Sequence, residues 1–133
     1  MLRLLYIPAL LILLTPLVSH AAVVTFLTAG VSYSTPGDLN NSDNSIECIG
    51  AGGHGADGQD TAGGGGGGGG AYAKIVNLTI AGSISYSIAS AGSQADTTFN
   101  STSLVCDAGN NGVFSTGGTR GLASASTGTT KFD

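Results

Sequence analysis

The sequence predicts an all-β fold: a small antiparallel, β-sandwich-like domain with glycine-rich, polyglycine II-like segments packed beside it, after an N-terminal signal helix. Three observations carry that expectation. Beyond residue 21 apolar side chains nowhere recur at helical spacing, whereas Ile84, Tyr86 and Ile88 alternate with Ser83, Ser85 and Ser87. Glycine is concentrated rather than spread, with an unbroken run through Gly63, Gly64, Gly65, Gly66, Gly67, Gly68, Gly69 and Gly70. Charged residues make up only 9% of the chain, so Ser, Thr and Asn do the solvating, which is not how charge-solvated disordered segments are built.

The first 21 residues read as a secretory signal. Arg3 supplies the positive charge, residues 4–14 are an almost unbroken apolar run, and Ser19-His20-Ala21 puts small residues where a signal peptidase reads, with cleavage after Ala21. A membrane anchor is the competing reading, but the run is short against the roughly 20 residues of a spanning helix. Pro8 and Pro16 also interrupt it. Residues 22–133 then form one domain that is secreted, periplasmic or held at a cell surface, with no membrane partner after cleavage.

Within that domain residues 23–27 read as a first strand, and 31–34 as a short second one before the turn at Pro36-Gly37-Asp38. Residues 45–50 form a third, with Ile46 and Cys48 on one face and Glu47 and Ile49 on the other. Between residues 50 and 70 no apolar side chain is larger than alanine. Strand character returns over 71–78, over 84–88 behind the turn at Ala81-Gly82, and over 97–100 and 103–106. Asn110-Asn111-Gly112 is a turn signal. The stretch from Gly117 is mostly small residues and ends at Lys131-Phe132-Asp133 without an evident closing strand.

Composition excludes several function classes. Without Arg3, three basic residues (Lys74, Arg120, Lys131) face eight acidic ones, a net charge of −5, and the three are scattered. Nucleic-acid affinity comes mostly from clustered Lys and Arg, so no nucleic-acid partner is expected. Cys48 and Cys106 would sit in an oxidising compartment, which allows one disulfide; two buried free thiols are the alternative, because nothing in the sequence brings them within bonding distance.

The stretch Glu47-Cys48-Ile49-Gly50-Ala51-Gly52-Gly53-His54-Gly55-Ala56-Asp57-Gly58 contains two motifs. Gly50, Gly52 and Gly55 spell G-x-G-x-x-G, but a dinucleotide site needs the last glycine to open a helix. The polyglycine that follows is a very poor helix former, at roughly 1 kcal/mol per residue against alanine. No cofactor is expected. Gly52, Gly53, Gly55 and Asp57 begin a calcium nonapeptide, with Asp57 and Asp60 as hard oxygen donors. Gln59 holds the place of its large apolar residue and no second copy follows, which leaves half a site. His54 is the lone histidine after cleavage, and no G-x-S-x-G elbow presents a serine to it, so no catalytic constellation is visible. Asn40, Asn77 and Asn100 head N-x-[ST] triplets of a kind expected by chance in so Asn-, Ser- and Thr-rich a chain.

The glycines then read as architecture. Without a Cβ, segments around Gly50, Gly52, Gly53, Gly55 and the run at 63–70 can pack backbone to backbone and share hydrogen bonds with residues 109–121. The competing reading is a flexible linker, since ordering glycine costs the most backbone entropy.

The order of pieces here also resembles the glycine-rich domain of phage tail fibre and tail-tip proteins and related bacterial, prophage-type proteins. A strand enters Gly-Ala-Gly-Gly at 46–53, a glycine run leads into Ala71-Tyr72-Ala73, a corner follows at 88–92, and an x-T-x-F strand, Asp96-Thr97-Thr98-Phe99, comes next. The resemblance spans about residue 23 to the end of the chain. It implies a compact β structure on a particle or cell surface, exposed loops for recognition, and no catalytic residues. The signal is unlike a virion protein and favours an exported copy, and the chain stops where such relatives continue into further glycine, as a truncated gene would. Relatives of that kind commonly trimerise, so a homo-oligomer is open, though no coiled-coil seam is present.

The expected function is a non-enzymatic, exported structural or adhesive surface module. It would recognise a cell-surface or matrix component through the polar loops 38–44, 54–61 and 110–119. A calcium-dependent module and a glycine-rich matrix or wall filler are the alternatives.

Overall fold

The computed structural model describes residues 22–59 and 62–133. The signal segment 1–21 and Asp60 lie outside the described residues. Among those residues the chain is all β, with no helix and two antiparallel sheets. Seven strands occur in order: β1 Ser32–Ser34, β2 Ser45–Ile49, β3 Tyr72–Val76, β4 Ser83–Ser87, β5 Thr97–Phe99, β6 Leu104–Cys106 and β7 Thr130–Phe132. One sheet runs β1-β4-β5-β6 and the other β2-β3-β7.

Alternation decides which side chains go inward. In β4, Ile84 and Tyr86 are buried while the three serines face solvent. They join Ala73, Ile80, Phe99, Leu104 and Cys106 in the core, against which Tyr33, Ile46 and Ile75 pack. Tyr33 and Phe99 meet with ring centroids 6.4 Å apart. The Tyr86 hydroxyl donates to the Ala29 carbonyl at 2.6 Å, so the phenol is buried without an orphaned oxygen. A disulfide joins Cys48 of β2 to Cys106 of β6, tying one sheet to the other across a Cα separation of 6.0 Å.

Three local expectations are corrected. Residues 23–27 are not a strand: Val23, Val24 and Phe26 are exposed and only Leu27 reaches the core. Strand propensity is present there, but among the described residues no partner strand lies alongside. The chain does close with a strand, β7, which pairs with β3 and stacks Phe132 on Tyr72 at 5.9 Å. The Asn110-Asn111-Gly112 turn signal is also misplaced, because these residues lie in an extended segment and the chain reverses at Val113–Thr116 instead.

Candidate functional site

Two glycine-rich hairpins extend from the ends of the strands. Residues 50–59 leave β2 and residues 62–71 return to β3; residues 107–113 leave β6 and residues 116–121 lead back towards β7. The first hairpin keeps the register of the β2–β3 ladder without a slip. After the pair Ile49↔Tyr72, the amides of Gly50, Gly53, Ala56 and Gln59 donate to the carbonyls of Ala71, Gly68, Gly65 and Ala62 at 2.8–3.1 Å. What changes is the repeat, from two residues in a β ladder to three.

The same spacing of three governs the other contacts. Gly68 and Ala71 donate to Asn110 and Asp107 at 2.9 Å, and Gly65 donates to Phe114. Gly109 and Gly112 donate to Ala51 and His54, and Gly118 and Gly121 to Gly66 and Gly69, at 2.7–2.8 Å. Four extended segments are thereby bonded into one layered bundle, with 62–71 and 107–113 in its middle.

Glycine is required where another backbone passes. A Cβ on Gly64, Gly67 or Gly70 would fall on the carbonyl of Ala56, Gly53 or Gly50, and one on Gly65 or Gly68 on that of Thr116 or Thr119. Gly50 and Gly53 are equally confined by Asp107 and Asn110. Gly52 and Gly55 have ordinary contacts at 3.6 and 3.4 Å, and among the described residues Gly63, Gly66 and Gly69 face open space.

Side chains staple the layer to the sheets. Asn111 accepts from the His54 amide at 2.7 Å and donates to the Gly92 carbonyl at 3.1 Å, while the Gly92 amide donates to Gly52 at 2.7 Å. Gly92 has φ +72° and the His54 imidazole lies against it, where no side chain would fit. Asp96 accepts from the Ala108 amide at 3.1 Å and Asp107 from the Leu122 amide at 2.7 Å, so these carboxylates serve backbone groups at the base of the layer. Sequence reasoning missed Asn111, Asp96 and Asp107. Their signal was a polar side chain interrupting small residues beside a glycine segment.

Both hairpin turns lie at the end of the bundle away from the sheets. Gln59 and Ala62 exchange backbone bonds at one, and Val113 and Thr116 at the other. Phe114, in the second turn, has φ +29°, a conformation that glycine or asparagine normally supplies. Val113 is 63% exposed and Phe114 50% exposed, an apolar pair on an otherwise polar tip that also carries Asp57. Of the three loops expected to form a recognition surface, 54–59 and 110–119 therefore meet. The loop 38–44 sits at the opposite end of β2, where Asn41 and Asn44 bond the backbone of Leu78 and Ile80. Among the described residues no group of three His, Cys, Asp or Glu side chains could hold a metal ion, and Asp60, the second expected calcium donor, lies outside them.

No protein-family model, curated protein or solved structure matches the chain.

Proposed function

We propose that this protein is a non-enzymatic, exported surface module whose four glycine segments are polyglycine II-like helices. They would form a stiff layer that holds two turns out for recognition. The observation that carries the reading is the hydrogen-bond repeat of three residues across all four segments, which ends in an exposed Val113–Phe114 turn. A three-residue repeat is that of the extended left-handed helix, and only glycine lets such helices approach backbone to backbone.

A disulfide between the sheets suits an oxidising compartment, and with the apolar, proline-interrupted N-terminus it supports export. The resemblance to phage tail fibre glycine-rich domains points the same way, to adhesion to a cell-surface or matrix component. Strain and apolar exposure coincide at Phe114, as they often do at functional loops.

Amide exchange by NMR tests the layer. Gly65, Gly68 and Ala71 should exchange slowly, while Gly66, Gly67, Gly69 and Gly70, whose amides have no backbone acceptor among the described residues, should exchange fast. Uniform exchange at random-coil rates would reduce the run to a linker. Flow cytometry of the labelled protein on a panel of intact bacterial cells tests adhesion. Binding should fall at least tenfold in Phe114→Ser with an unchanged fold, and binding indifferent to that change would remove the tip from the function.

A further inference from the structure

The residues that precede β1 form a strand sequence with no strand to join. Val23, Val24 and Phe26 are 85%, 73% and 85% exposed, and no backbone hydrogen bond holds residues 22–28 among the described residues. The segment is anchored behind them, where Leu27 packs on the core and Ala29 accepts from Tyr86. With the first 21 residues removed, as the export reading has it, residues 22–26 are exposed beside the fixed point at Leu27, and five extended residues reach about 17 Å.

A matching vacancy exists in the second sheet. β2 pairs only with β3, so its other edge leaves a row of amides and carbonyls unpaired among the described residues. A groove of about 1360 Å³ separates that edge from residues 22–27 of the same chain, with Ile46 and Phe99 in its wall and Ile49 and Ile88 at its margin. Ile49 is 68% exposed and Ile88 39% exposed. Edge strands of soluble proteins are ordinarily protected by charge, proline or a bulge. Glu47 supplies the lone charge of this one, and it is already paired with Lys74 at 3.1 Å.

We infer that residues 22–26 of one copy add as a β-strand to the free edge of β2 in a second copy, and reciprocally, giving a two-fold dimer. The occupant is a second copy because the chain itself carries the complementary element, a Val-Val-Thr-Phe strand that is exposed and, among the described residues, unpaired. Strand addition satisfies the edge and alternate side chains enter the groove. Two-fold symmetry makes both exchanges at once, so the exposed apolar row and the groove of each copy are covered together. On a strand Val24 and Phe26 share one face, so this pair enters the groove at each of the two sites.

Sedimentation equilibrium of the purified protein tests this at about 100 μM, well above a micromolar dissociation constant. The expected result is a dimer whose dissociation constant rises at least tenfold in the double variant Val24→Asp, Phe26→Asp. Both side chains are exposed in the single copy, so the thermal midpoint of a dilute sample should not move. On dimerisation, residues 22–26 and 45–49 should gain amide protection together. A protein monomeric at that concentration overturns the inference. So does a dimer indifferent to the double variant, or a monomer in which residues 22–26 are already protected, since the segment would then lie on its own β2.

Discussion

Gly66 and Gly67 are neighbours in one unbroken glycine run, yet a methyl group added to each meets opposite surroundings. At Gly67 it would fall on the Gly53 carbonyl, and at Gly66 it would enter open space. Gly67→Ala should therefore destabilise the fold by about 3 kcal/mol, the upper range for overpacking. Gly66→Ala should stabilise it by about 0.4–1 kcal/mol, because the unfolded chain loses freedom that the native conformation does not use. Urea denaturation of the two variants separates these outcomes, and equal effects would contradict the packing. Phe114 is a second residue whose backbone and side chain pull apart. Replacing it with glycine should relieve strain and stabilise by about 1 kcal/mol. The same change removes the ring from the tip, so stability and cell binding should move in opposite directions.

The strands and hairpins set the next tier of consequences. The disulfide closes a loop with a sequence separation of 58 residues, and constraining such a loop in the unfolded chain is worth about 4 kcal/mol. Reduction should lower the denaturation midpoint by a corresponding amount, measured with and without a thiol reductant. Across the β2–β3 ladder Glu47 faces Lys74, and the lysine's hydrogen bond and charge hold the Glu47 carboxyl below its ordinary range. A depressed carboxyl contributes stability above its unfolded value of about 4.3, and that contribution is lost as pH falls through the lower folded value. The pair is solvent-screened, with the carboxylate half exposed, so the effect is small. In Lys74→Met the acid limb of the stability curve should flatten slightly, and an unchanged limb would mean that the pair contributes nothing. At this tier much was legible from residue type alone. β4 is a clean alternation of serine with Ile84 and Tyr86, and β2 divides its faces as its side chains predict. Residues 23–27 have equal strand propensity and, among the described residues, no ladder, because propensity describes a residue's fitness for a pleated surface and cannot supply the neighbouring strand.

Across the whole molecule the sheets and the glycine layer divide the work of cohesion. The sheets hold together by burial of Ile84, Tyr86, Phe99 and Leu104, whereas the layer has almost no side chains to bury and depends on backbone hydrogen bonds. Asn111 couples the two through Gly92 and His54, so Asn111→Ala should raise the exchange rates of Gly53 and Gly112 more than those of β4. A uniform increase over both regions would show instead that the layer and sheets open as one unit.

The sequence by itself determined that the chain after residue 21 is β-forming, that glycine is concentrated in segments unable to form helices, and that its few basic residues are scattered. Those properties are local: a two-residue alternation, a missing Cβ and a count of ionic groups can each be read without knowing what lies opposite. Only the tertiary structure decided which glycines tolerate a side chain, because that depends on whose carbonyl passes within reach. It also decided that Cys48 meets Cys106, that the chain turns at Phe114 rather than at Asn111-Gly112, and that residues 22–26, among the described residues, stand unpaired beside an open edge. Each of these is settled by a partner distant in sequence, and a linear pattern carries no record of that partner's position.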